Sequence, residues 1–170
     1  MRQETAVTLR GGLFAGLIGY FTIVVFFVVL NLIGGRSPFY TAALFGSALF
    51  FGLRDATQLA ITPAAVLAFN MVHALVMLAV GFLASWLVAQ SEKHPLSQYA
   101  VLVALIFVGF HLFVAVALFA MPLMGALGWV QLAVASGAAA IAMGWYLLRI
   151  HPLLRAELRE LPMGDVPPGV

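Results

Sequence analysis

The sequence predicts an all-α integral membrane protein: a four-transmembrane-helix bundle with one short external helix that is interfacial or re-entrant. Three observations predict it. Hydrophobic residues make up 64% of the 170 and charged residues only 8%, where a soluble domain carries about a quarter. Apolar runs long enough for a hydrocarbon core of roughly 30 Å occur at residues 12–34, 64–89, 99–121 and 125–148. The basic residues stand at the ends of these runs rather than in a patch. They read as topology signals, and the lipid bilayer, not nucleic acid, is the expected surroundings.

The first run follows MRQETAVTLR and superficially resembles a signal peptide. It exceeds a typical signal h-region, and no A-x-A-like site follows, so it reads as a retained first helix. Gly12 and Gly16 form a G-x-x-x-G, and Gly19 extends that small surface.

The stretch SPFYTAALFGSALFFGL, 37–53, predicts a helix over residues 38–52, with Ser37 as cap and Pro38 in the first turn. About fifteen helical residues reach only ~22 Å, which is short for a span. With this helix outside, Arg2, Arg10, Lys93, Arg149, Arg155 and Arg159 share one side, opposite Arg36 and Arg54. With it spanning, the basic residues divide almost evenly. The positive-inside rule therefore puts both termini in the cytoplasm of a bacterial inner membrane. Trp86, Tyr99, Trp145 and Tyr146 then form a cytoplasmic aromatic belt, with Tyr40 and Trp129 on the other face.

Pro63 suits the first turn of the second spanning helix. Pro122, with Gly125 and Gly128, makes a tight turn between the third and fourth. The fourth carries its own small-residue seam, Ala133, Gly137, Ala140 and Gly144. Beyond it, residues 152–161 predict a short cytoplasmic amphipathic helix and 162–170 a disordered tail. Residues 1–161 form one membrane domain. The tripeptide His-Pro-Leu recurs at 94–96 and 151–153, too little to establish a duplication.

The chemistry lies in a few polar residues within the apolar runs. His73 stands about ten residues inside one end of its helix, and His111 about ten residues from the same end of the next. Both are therefore ~15 Å deep, near the midplane. Asn70, His73, Met77, Gly81 and Ser85 share one helical face, and polar side chains on it should face protein.

Three readings of the histidine pair compete. The imidazoles could be interhelical hydrogen-bond partners for Asn70, Ser136, Tyr20 or each other. They could be the two axial ligands of a b-type haem, with Asn70 orienting the ring of His73 behind it. Directly packed helices, 8–10 Å apart, are too close for a macrocycle, so that reading requires them to splay. Copper or zinc would need further ligands, and only Met77 and Asn70 are nearby. His94 and His151 precede prolines at helix ends and read as terminators.

The absence of cysteine excludes disulfides, thiolate metal sites and covalently attached c-type haem. No phosphate loop, H-E-x-x-H, G-x-S-x-G or paired-carboxylate motif occurs. The expectation is a small non-enzymatic subunit of a larger membrane assembly, energy-converting or respiratory. Other membrane subunits are its expected partners, with one glycine seam, foremost Gly12-Gly16-Gly19, meeting them. A b-type cytochrome working through His73 and His111 is the alternative. A proton or small-solute transporter is the third reading, weakened because no acidic residue lies within a run.

Overall fold

The computed structural model describes residues 2–93 and 128–151. Among them every regular element is helical. Three helices are long and apolar enough to cross a membrane, with apolar stretches Ala6–Ile33, Pro63–Ser91 and Trp129–Ile150. The helices expected at 99–121 and 152–161 lie outside the described residues, as do His94, Tyr99, His111 and the tail.

Helix α1, Arg2–Ile33, begins ten residues before the expected start. The segment RQETAVTLR contains neither glycine nor proline, so nothing stops the helix before Gly11. It ends at Gly34 and Gly35, where Gly35 takes φ +67° and the Arg36 amide donates back to the Asn31 carbonyl at 2.8 Å.

Helix α2, Tyr40–Phe50, starts two residues later than the Ser37-Pro38 pair suggests. Ser37 forms the turn before it, its side-chain oxygen accepting from the Phe39 amide and its carbonyl from that of Tyr40. Gly52, at φ +72°, ends the segment. A single 3-10 turn, Ala56–Gln58, follows, where the Asp55 carboxylate accepts from both the amide and hydroxyl of Thr57. Helix α3, Pro63–Lys93, opens with the expected proline, and the Thr62 hydroxyl accepts from the Ala65 amide. Helix α4, Trp129–Ile150, begins at Gly128 (φ +67°) and closes where the His151 amide donates to the Leu147 carbonyl.

The packing makes α1 the central helix, with α3 and α4 each laid along it and scarcely touching one another. A Cβ on Gly12 would meet Phe82, one on Gly16 the backbone of Met77 and Leu78, and one on Gly81 the backbone of Gly12 and Gly16. The glycines let the two backbones come into contact, the only way apolar helices gain much attraction in lipid. The glycine seam of α1 is therefore filled by α3, not held open for a partner as the sequence suggested. The missing signal was Gly81, whose complementary notch is visible only once the two helices are aligned.

The same contacts fix directions. Gly11 meets Ser85 and Ile150, while Gly19 meets Met77 and Met143, so α3 and α4 both run antiparallel to α1. The Ser85 hydroxyl donates to the Thr8 carbonyl at 2.8 Å, tying α3 to α1 near the end where α1 starts. Between the helices lies a thin core of Ala15, Met77, Ala84, Val88, Met143 and Leu147. Met77 and Met143 converge on Gly19, flexible thioethers filling the space that glycine leaves. The outward faces are apolar, with Val25, Leu67, Met71, Leu75, Val130 and Ile141 all more than half exposed. In water such a surface would aggregate; against acyl chains it is compatible.

Helix α2 lies across the end where α1 finishes and α3 begins. Gly46 abuts the Ala65 backbone, and buried Asn31 on α1 accepts from the Thr41 hydroxyl at 3.0 Å and donates to the Pro38 carbonyl at 3.3 Å.

Candidate functional site

A cleft of about 690 Å³ opens between α3 and α4, with Ile23, Val24, Phe27 and Val28 of their common partner α1 forming a further wall. Among the described residues α1 holds both helices, while they scarcely touch each other. Its walls are apolar apart from a few groups, among them Asn70, His73 and Ser136, with Thr41, Phe45 and Leu49 of α2 at one end. Its size falls within the range of cofactor and small-ligand pockets, and sparse polar groups in an apolar wall are their usual lining.

His73 is held by aromatic neighbours. Its ring stacks on Phe69 at 5.4 Å and 23°, and Tyr20 of α1 approaches at 5.2 Å and 52°. Phe69 stacks in turn on Phe45 of α2 at 5.2 Å and 13°. The ladder Phe45–Phe69–His73–Tyr20 thus joins three helices, each pair contributing about 0.5–1.5 kcal/mol beyond its buried area. His73 Nδ1 is buried with no hydrogen-bond partner among the described residues. A polar atom left unpaired in an apolar site costs about 1–3 kcal/mol.

Asn70 does not supply the missing partner. Its Oδ1 accepts from the Tyr20 hydroxyl at 2.8 Å, and its Nδ2 donates to the Val66 carbonyl one turn earlier at 2.8 Å. The amide is engaged on both sides and links α3 to α1 instead of orienting the imidazole. The polar stripe legible in the sequence is thus mostly the α1-facing side of α3: Asn70 meets Tyr20, Gly81 meets Gly12 and Gly16, and Ser85 meets Thr8. His73 and Met77, on the same stripe, reach the cleft as well.

The seam of α4 also turns to the cleft. Ala140 and Gly144 line it, and no described atom lies within 4 Å of a Cβ placed on Gly137 or Gly144. The adjoining face of α4, Ala135, Ala139, Met143 and Leu147, is the buried one, and its last three residues border the cleft too. Among the described residues no three His, Cys, Asp or Glu side chains gather into a metal-binding group. Asn31 and Gly46, which fix α2 over the end of the cleft, were not apparent as functional positions. Their sequence signals are slight: an asparagine just before a helix-ending Gly-Gly, and a Gly-Ser pair within an apolar helix. Comparison with protein-family models, curated proteins and solved structures finds no match.

Proposed function

We propose that the chain is a small non-enzymatic subunit of a larger membrane assembly, an energy-converting or respiratory one, in a bacterial inner membrane. The observation that carries this reading is the small-residue seam of α4, which borders the cleft at Ala140 and Gly144 and has no described neighbour at Gly137 or Gly144. A surface of this kind lets another helix approach closely, and close approach is what holds helices together in lipid. Gly144→Leu fills that approach without touching the α1 contact. The variant should lose its co-purifying partners in mild detergent while its helicity is unchanged. A wild-type protein that leaves native membranes as a lone monomer refutes the reading.

The finer topology belongs to the same proposal: four spans, α2 external, both termini cytoplasmic. Arg2, Arg10, Lys93 and Arg149 belong to one end of the bundle, and Arg36 and Arg54 to the other, which favours that orientation. Helix α3 finishes at the end where α1 starts, and α4 starts at the opposite end, which favours the proposed fourth span. Among the described residues helix α2 meets its neighbours near Asn31, Ala65 and Phe69, an arrangement compatible with an interfacial or shallowly re-entrant helix.

A second reading, a b-type cytochrome, is favoured by one observation: His73 borders an apolar cleft between α3 and α4. One axial ligand and an apolar enclosure are thus at hand, while His111, the second ligand of that reading, lies outside the described residues. Against it, Nδ1 of His73 finds among the described residues no acceptor of the kind that usually orients a ligating imidazole. An absorption spectrum of the purified protein, oxidised and then dithionite-reduced, separates the two readings. A reduced b-type band that His73→Ala abolishes supports haem; a spectrally silent protein removes it.

A further inference from the structure

The end of the bundle where α1 starts and α4 finishes carries two arginines on facing helices. Arg10 stands one residue before Gly11, which touches Ile150, and Arg149 stands one residue before Ile150. The two cations are therefore at one level along the α1–α4 contact. Each guanidinium rests against an aromatic ring of its own helix: Arg10 lies 5.7 Å from the centre of Phe14, and Arg149 lies 3.7 Å from that of Trp145. Phe14 also meets Tyr146 across the contact at 6.3 Å, on the flank where both arginines emerge.

Both arginines are exposed, and neither has a carboxylate partner among the described residues. Arg149 sits in the last turn of α4, where the carbonyl dipole welcomes a cation. No such dipole holds Arg10, which lies well inside α1. Below the two cations the flank turns apolar: Phe14 is 41% exposed, Phe21 56% and Trp145 59%. The spacing of Arg10, Phe14 and Phe21 keeps them in one stripe of α1. Paired cations above exposed aromatic rings complement the chemistry of an anionic phospholipid, with charge at the headgroup and hydrocarbon beneath it.

We propose that Arg10 and Arg149 clamp the phosphodiester headgroup of an anionic phospholipid, whose acyl chain lies in the groove between Phe14 and Trp145. The aromatic rings hold the guanidiniums extended toward the interface, and a planar guanidinium suits the oxygens of a phosphodiester. Basic side chains between membrane helices recognise anionic headgroups in this way. The clamp spans the α1–α4 contact, so the lipid would brace the seam at the end where no glycine of α4 joins it.

Trp145 supplies the readout. With Trp86→Phe and Trp129→Phe, it is the sole tryptophan. This protein is reconstituted into phosphatidylcholine vesicles containing a minor fraction of either phosphatidylglycerol or phosphatidylcholine brominated near the headgroup end of its chains. The expected result is a preference of roughly thirtyfold for the anionic lipid in quenching Trp145, from two surface arginines acting together. Arg10→Gln and Arg149→Gln should each reduce it about fivefold, and the double variant should abolish it. Arg54→Gln, at the other end, should leave it intact. Excess inorganic phosphate should not relieve the quenching; relief would assign the site to free phosphate and overturn the lipid. Equal quenching by the two lipids, or a preference that survives the double variant, overturns the clamp.

Discussion

Gly16→Ala is a one-atom test of how the bundle is held together. The added Cβ would lie 2.7 Å from the Met77 carbonyl oxygen and 2.8 Å from Leu78 Cα. Both are backbone atoms of a continuous helix, so neither can rotate away. Ordinary contact begins at 3.4 Å, and relief therefore requires α1 and α3 to part by about 0.7 Å at this point. A gap of that order forfeits a quarter to a half of each affected dispersion contact. Overpacking of this kind costs about 1–3 kcal/mol. Alanine is also a better helix former than glycine, and the matching variant Gly137→Ala, with no described atom within 4 Å, receives the same benefit without the clash. The difference between the variants therefore isolates the packing term. Reversible unfolding in mixed micelles, followed by circular dichroism, should place Gly16→Ala about 1–3 kcal/mol below Gly137→Ala. Equality within about 0.5 kcal/mol would refute the α1–α3 seam as the principal internal contact.

Three further outcomes follow from the hydrogen bonds. Tyr20→Phe removes the bond to Asn70 and should destabilise the bundle by about 0.6 kcal/mol, and by no more than about 1.7, in the same unfolding assay. Asn31→Ala strands the buried Thr41 hydroxyl and should cost about 1–3 kcal/mol. Its local signature should be faster amide exchange across α2, with the core of α1 unaffected. At the loop, the amide and hydroxyl of Thr57 hold the Asp55 carboxyl below its usual range. The turn is therefore fully formed above the ordinary aspartate pKa and lost as pH falls through the depressed one, visible as an upfield-moving Thr57 amide resonance that Asp55→Asn removes.

Much of this fold could be read from residue order, because the bilayer demands long apolar helices and the chain supplies them. The runs at 12–34, 64–89 and 125–148 correspond to α1, α3 and α4 with shifts only at their ends. Those ends moved because a helix can continue into water until glycine or proline stops it, as RQETAVTLR shows. Partner choice was less legible. Gly12 and Gly16 announce a close approach but not to what, and only their alignment with Gly81 identifies α3. The site was half legible. The nearness of His73 to Tyr20 followed from spacing and polarity. Asn70 bonding away from the imidazole did not, since i and i+3 neighbours on a helix can each turn to a different partner.

The most direct test is photo-crosslinking from Ala140 in native membranes. Its side chain is exposed and borders the cleft beside the seam. A photoreactive residue there is expected to form a discrete adduct with a second polypeptide, lost when Gly144→Leu blocks the approach. Adducts confined to the chain itself and to lipid would contradict a cleft that serves another subunit.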